Sequence, residues 1–184
     1  MEIPSVDFVF VRQKECNDKA FGYDTINSKE LLGKGKHVLF ALPGAFTPTC
    51  TQFQLPSFEA TYNNFKLEGV DEVWCISVND GFVMNAWQRE LGIEKVKLIP
   101  DGNALFTGLM NQLVTKMPNG FGLRSWRYAC IIEEGVITRL FEEPGKIDDA
   151  EEDPYEITYP ENIFKLVASW RRLIDLKCMT VRIG

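Results

Sequence analysis

Cys50 is the residue in this sequence best placed to do chemistry. It lies in Leu42-Pro43-Gly44-Ala45-Phe46-Thr47-Pro48-Thr49-Cys50-Thr51, where the apolar run from Val38 stops at Pro43 and Gly44 and an amphipathic pattern begins after Thr47. That pattern reads as a strand, a tight turn and a helix start. Thr47 then takes the N-cap, Pro48 the first helical position, and Cys50 the first turn. Amide groups there have no partner within the helix, and the helix dipole is positive at that end. A thiol so placed is biased toward thiolate, which makes it a nucleophile rather than core filler.

The other cysteines carry weaker signals. Cys75 in Val73-Trp74-Cys75-Ile76 and Cys130 in Ala129-Cys130-Ile131 stand in apolar runs and read as core. Cys16, between Glu15 and Asn17, reads as exposed and incidental, and Cys178 lies in the tail as a minor candidate redox partner. Five widely spaced cysteines with no C-x-x-C pair write neither a disulfide framework nor a dithiol redox pair. His37 is the one histidine, so no structural zinc site is expected, and it reads as a capping or surface residue. A cysteine phosphatase would need an arginine six residues after the nucleophile, where Pro56 stands. A papain-like protease would need a histidine base, and His37 merely precedes a buried strand.

Composition bounds the rest. At 184 residues the chain fits one domain, 1–184, with enough length to bury a core and with the tail after about 176 unassigned. A net charge of −6 argues against a general binder of nucleic acid or anionic membranes. No apolar run approaches the roughly 18 residues of a membrane span, and Met1 to Phe10 lacks a signal peptide's basic flank and long apolar stretch. The expected location is the cytoplasm.

The elements that must position Cys50 follow from periodicity. Val6 to Val11 reads as an edge strand, Phe21 to Thr25 as a second strand, Ser28 to Leu32 as a short helix, and Lys36 to Leu42 as a buried strand. Leu55, Phe58, Tyr62 and Phe65 mark a helix that ends near Gly69, with Pro56 expected to kink it. Glu72 to Val78 is a buried strand, and Asn79-Asp80 caps a helix running to Leu91. Val96 to Ile99 is a brief strand, Leu105 to Met110 a short helix, and Asn119 to Gly122 a Gly-rich loop leading into Arg124-Ser125-Trp126-Arg127. Tyr128 to Glu133 and Val136 to Phe141 form a hairpin around Glu134-Gly135. Pro144 to Asp153 reads as an exposed, mobile acidic loop, and Pro160 opens a last helix with the stripe Ile163, Val167, Trp170 and Ile174. The order gives an α/β chain with a mixed central sheet and helices on both faces.

The active-cysteine string and its companions resemble a known family. Pro43, Thr47 and Cys50 keep the spacing of the peroxiredoxin motif, and Pro43-Gly44-Ala45-Phe46-Thr47-Pro48-Thr49-Cys50 is similar to the peroxiredoxin-five subfamily. Ser77-Val78-Asn79-Asp80, Ile99-Pro100-Asp101-Gly102, Gly120-Phe121-Gly122, Arg124-Ser125-Trp126-Arg127-Tyr128 and Glu142-Glu143-Pro144 extend the likeness from about Phe8 to about Leu166. The resemblance implies a thioredoxin-like fold and a thiol peroxidase without a cofactor. It gives Cys50 as the attacking sulfur, Thr47 as a hydrogen-bond partner of the peroxide, Pro43 as a shield of the thiolate, and Arg127 as the catalytic cation. Arg124 is the alternative arginine and otherwise reads as a surface or interface charge. Phe46, Phe82, Trp87 and Phe121 would serve as core, or line the peroxide pocket or a dimer interface.

One departure bears on mechanism. Some members of the subfamily carry a resolving cysteine before the last helix, and here Asp153-Pro154-Tyr155-Glu156-Ile157-Thr158-Tyr159 has none. The resemblance then implies a one-cysteine enzyme acting on hydrogen peroxide and organic hydroperoxides. Gly120 to Tyr128 and Asp153-Pro154 are most similar to bacterial members reduced by glutathione and glutaredoxin. Those are the expected partners, with a second copy of the chain in a homodimer. A redox sensor or thiol-dependent chaperone that reacts once, and a thioredoxin-reduced peroxidase, are the alternatives.

Overall fold

A computed structural model describes residues 1–13 and 21–168. Cys16, Trp170, Ile174, Cys178 and the tail after 176 lie outside the described residues. Chain order is β1 (Asp7–Gln13), β2 (Phe21–Asn27), α1 (Ser28–Leu32), β3 (Lys36–Ala41), α2 (Leu55–Leu67), β4 (Glu72–Ser77), α3 (Gly81–Glu90), β5 (Lys97–Pro100), α4 (Leu105–Leu109), β6 (Leu113–Lys116), β7 (Gly122–Ser125), β8 (Tyr128–Glu133), β9 (Val136–Glu142) and α5, described over residues 160–168.

The central sheet has the order β5-β4-β3-β8-β9. β3, β4 and β5 run parallel, while β8 and β9 are antiparallel to their neighbours. Strand side chains alternate between faces, and the two faces bury separate clusters. Val38, Phe40 and Leu42 of the β3 segment meet Leu55, Phe58 and Phe65 of α2, Met84 and Trp87 of α3, and Ile163 and Val167 of α5. Leu39 and Ala41 face the other way, against Leu32, Phe106 and the amino-terminal Ile3, Val6 and Phe8. The expected mixed sheet covered on both faces is therefore present.

Local chemistry sets the boundaries. Asp80 caps α3 by accepting from the Phe82 and Val83 amides at 2.8 and 3.0 Å. The β8–β9 turn puts Glu134 at φ 49° and Gly135 at φ 76°, and the second position favours a residue without Cβ.

Two expectations are extended and two need correction. β1 is an edge strand, but of a separate hairpin with β2 rather than of the main sheet. The Asn119 to Gly122 loop lies at the turn of a second, unexpected hairpin of β6 and β7. Strands of four residues around a glycine turn give too little periodicity to be legible. His37 is not at the surface. Its Nδ1 lies 3.3 Å from Trp74 Nε1 and its Nε2 2.7 Å from the Lys34 carbonyl, so the buried ring is engaged at both nitrogens. The 144–153 loop is exposed but pinned: Asp148 and Asp149 accept from the Thr115 and Met117 amides, each at 2.8 Å. Among the described residues no helix is long and apolar enough to cross a membrane.

Phe58 joins α2 to the sheet, its ring stacked on Phe40 at 3.8 Å between centroids and wholly buried. Phe58→Ala should lower unfolding free energy by about 3–5 kcal/mol, the cost of a large cavity in a packed interior, measured by urea denaturation.

Candidate active site

β3 ends at Ala41 and hands the chain to a turn tied to the end of β4. Asn79 Oδ1 accepts from the Ala45 amide at 3.0 Å and from Ser77 Oγ at 2.7 Å. Phe46 takes φ 63°, a left-handed conformation that costs a side-chain-bearing residue roughly 1–2 kcal/mol. Gly44 is constrained from outside: a Cβ there would stand 2.8 Å from Arg124 Nη1.

Helix begins at Pro48, and the Thr47 carbonyl accepts from the Thr51 amide at 3.0 Å, as an N-cap carbonyl should. The Thr47 hydroxyl does not cap. It donates back to the Gly44 carbonyl at 2.8 Å. From Cys50 to Gln54 the helix widens into a π turn, closed by the Leu55 amide on the Cys50 carbonyl. Pro56 accounts for it, since it lacks an N–H and its ring would crowd the carbonyl four residues back in a regular helix. The disturbance expected from Pro56 thus falls on the turn that begins with Cys50.

Arg127 reaches this turn from the opposite direction. β8 pairs antiparallel with β3, Tyr128 opposite Ala41, so the residue just before β8 meets the residues just after β3. Arg127 Nη1 donates to Cys50 Sγ at 3.6 Å and to Gln54 Oε1. Its Nη2 pairs with Asp153 Oδ2 at 2.5 Å, and its Nε donates to the Pro154 carbonyl at 2.9 Å. Tyr155 stacks beneath the guanidinium, 5.3 Å from ring centroid to Cζ. Burial opposes the charge of Arg127, but the Cys50 sulfur and the Asp153 carboxylate outweigh it, and the guanidinium is held above its ordinary pKa.

Cys50 itself is fully buried. A cavity of about 290 Å³ lies over the helix start, lined among others by Pro43, Thr47, Thr49, Phe121 and Asp153. The structure therefore gathers Pro43, Thr47, Cys50 and Arg127 around one end of the sheet. Arg124 is half-buried rather than a surface charge: it donates to the Phe121 and Val78 carbonyls at 3.0 and 3.2 Å. Burial lowers its pKa, with the Cys50 sulfur acting in the other direction. Trp87 is core, while Phe46 and Phe82 are exposed. Among the described residues no three of His, Cys, Asp and Glu converge as a metal would require.

Sequence reasoning missed Gln54, Asp153 and Tyr155 as neighbours of the arginine. Gln54 was findable, because four residues after Cys50 is the same helical face. Asp153 and Tyr155 were not, since only the tertiary path of the loop brings them in.

With this geometry in view, comparisons place the chain. The Redoxin family model matches residues 14–156. A peroxiredoxin of Rhizobium etli is 56% identical over 132 residues, covering 71% of this chain and 74% of that protein. Hybrid peroxiredoxin hyPrx5 of Haemophilus influenzae is 41% identical over 143 residues, covering 78% of this chain and 58% of that protein. A solved structure of the Plasmodium falciparum antioxidant protein, a 1-Cys peroxiredoxin, superposes with TM-score 0.85 at 32% identity, covering 92% of this chain and 98% of that one. The fold and family model define a thioredoxin-like redox domain. More narrowly, the chain belongs to the peroxiredoxins, of the Prx5-like type, and is a thiol peroxidase.

Burial pushes the Cys130 thiol up to about 12 and raises the Cys75 thiol well above its ordinary value, with the Cys50 sulfur adding to the latter. Alkylation needs the thiolate, and a raised pKa moves its formation to higher pH. At pH 8 only about one Cys130 in ten thousand would be ionised. Iodoacetamide at pH 8 should leave Cys75 and Cys130 unmodified in folded protein and label both after denaturation, read by peptide mass spectrometry.

Proposed function

We propose that the chain reduces hydroperoxides through Cys50 alone and returns the sulfur to its starting state with an external thiol. The observation that carries this is Arg127 Nη1 at 3.6 Å from the buried Cys50 sulfur, with a cavity large enough for a small hydroperoxide over the same helix start, lined by Pro43 and Thr47. The hydroperoxide enters past Pro43, which shields the sulfur from bulk water. The Thr47 hydroxyl gives its proton to Gly44, which leaves its lone pairs to accept from the peroxide O–H. The Cys50 thiolate attacks one peroxide oxygen in line, an S–O bond forms and the O–O bond breaks. The electron pair leaves on the distal oxygen as alkoxide or hydroxide, which takes up a proton. Arg127 and the unpartnered amides of the first helical turn stabilise that developing charge. Cys50 becomes a sulfenic acid.

The second half needs two reducing equivalents. A glutathione thiol displaces water from the sulfenic acid to give a mixed disulfide, and a second thiol, delivered by glutaredoxin, releases the Cys50 thiol and takes the disulfide. Three features support the one-cysteine cycle: no cysteine in 153–159, the placement of Cys75 and Cys130 within β4 and β8, and the likeness to the Plasmodium falciparum 1-Cys protein. A glutathione and glutaredoxin cycle works in a reducing compartment, in keeping with the cytoplasm as the proposed location. A homodimer is supported by the exposed aromatics Phe21, Tyr23, Phe46 and Phe82, with Phe21 and Phe82 edge-on at 5.1 Å.

Cys50→Ser should abolish steady-state peroxide consumption, and Arg127→Ala should lower kcat/KM for peroxide by ~10²–10³-fold, the usual effect of losing a donor to developing negative charge. Retained turnover in Cys50→Ser overturns the assignment, and a stall after one equivalent of peroxide marks a sensor instead. Turnover should be sustained by glutathione with glutaredoxin. Turnover with thioredoxin but not with that pair overturns the choice of reductant.

A further inference from the structure

Arg127 is held from two sides that differ in origin. The helix side offers Cys50 Sγ and Gln54 Oε1, both to Nη1. The other side is one stretch of three consecutive residues: the Asp153 carboxylate at Nη2, the Pro154 carbonyl at Nε, and the Tyr155 ring against the guanidinium plane.

That stretch is itself built in. Glu143 is 1% exposed, and its carboxylate accepts from the Glu156, Ile157 and Thr158 amides and from the Thr158 hydroxyl, at 2.8 to 3.2 Å. Tyr155 Oη meets Ser57 Oγ at 2.9 Å, which ties the same stretch to α2. Upstream, Lys116 Nζ donates to the Ala150 carbonyl at 3.3 Å, and Asp148 and Asp149 hold the backbone of the β6 region. The strap is thus fixed at both ends and presents one carboxylate to one buried cation.

We propose that Asp153 is a positioning residue for the peroxidase reaction, acting through Arg127. A free arginine side chain has many rotamers to lose, and its planar fork aims each donor once two of them are fixed. With Nε on Pro154 and Nη2 on Asp153, the remaining terminal nitrogen is directed at the sulfur. Losing the carboxylate leaves a buried cation short of a partner, and such a cation turns toward whatever acceptor or solvent it can reach. Misaimed donors slow a reaction steeply, because a displacement of about 1 Å can cost ~10²-fold. Asp153 also borders the cavity over the helix start, but the role assigned to it runs through the guanidinium it pairs with.

The inference rests on the Cys50 peroxidase reading, and its test separates the two. Single-turnover oxidation of Cys50 by hydrogen peroxide is followed by stopped-flow tryptophan fluorescence, in parallel with alkylation of Cys50 by iodoacetamide, which needs no aimed donor on a leaving oxygen. Asp153→Ala should slow oxidation by ~10–100-fold while alkylation changes far less, so that the ratio of the two rates falls at least ~10-fold. Asp153→Glu should recover most of the oxidation rate, and Glu152→Ala, at the exposed neighbour, should match the unaltered protein. If Asp153→Ala fails to fold, Asp153→Asn, which keeps size and one acceptor oxygen, carries the same ratio test. Oxidation within about 2-fold of the unaltered protein, or oxidation and alkylation falling together, overturns the positioning role. Turnover that survives Cys50→Ser overturns the underlying reading instead.

Discussion

The contact between Arg127 and Cys50 is the constraint on which the rest of the site depends. The two residues are 77 positions apart and meet only because β8 returns antiparallel beside β3 with Tyr128 opposite Ala41. In a strand pair, sliding the register by one residue turns every side chain to the other face. A slip here would also carry the position before β8 away from the helix start. Packing along β3 penalises such a slip, because Val38 and Phe40 fit one core and Leu39 and Ala41 the other. Packing on both faces of the sheet therefore fixes where one guanidinium ends.

Long, strongly patterned elements were legible in the sequence. The buried runs at β3, β4 and β8, the Asp80 cap, the Glu134-Gly135 hairpin and the Leu55–Phe65 stripe all appear where periodicity and turn chemistry put them. The motif around Cys50 also located the helix start. What escaped had no local signature. β6 and β7 are four residues each, and the separate hairpin that holds β1 escaped because pairing partners are not written in a single run. His37 resembled a surface residue because Trp74, the partner that covers it, arrives only through the pairing of β3 with β4. The acidic loop read as mobile because charge suggests solvent, yet Asp148 and Asp149 are spent on backbone amides and Asp153 on Arg127.

Pro56 shows how a local cost is placed to advantage. A proline in a helix interior forces a rearrangement on the preceding turn, and here that turn starts with Cys50. The wider winding carries Gln54 to a buried position between the Ala41 carbonyl and Arg127. The same five residues hold the thiol and one of the acceptors that fix the arginine.

The pairing of Arg127 with Asp153 has a consequence for the charge count of the oxidised site. In the proposed cycle the attacking thiolate brings a negative charge to the buried guanidinium, and a neutral sulfenic acid brings none. Were the sulfur the cation's sole counter-ion, each oxidation would strand a buried positive charge, which low-polarity surroundings oppose. Asp153 keeps one unit of negative charge beside Arg127 in either state, so the cation stays compensated as the cysteine changes charge.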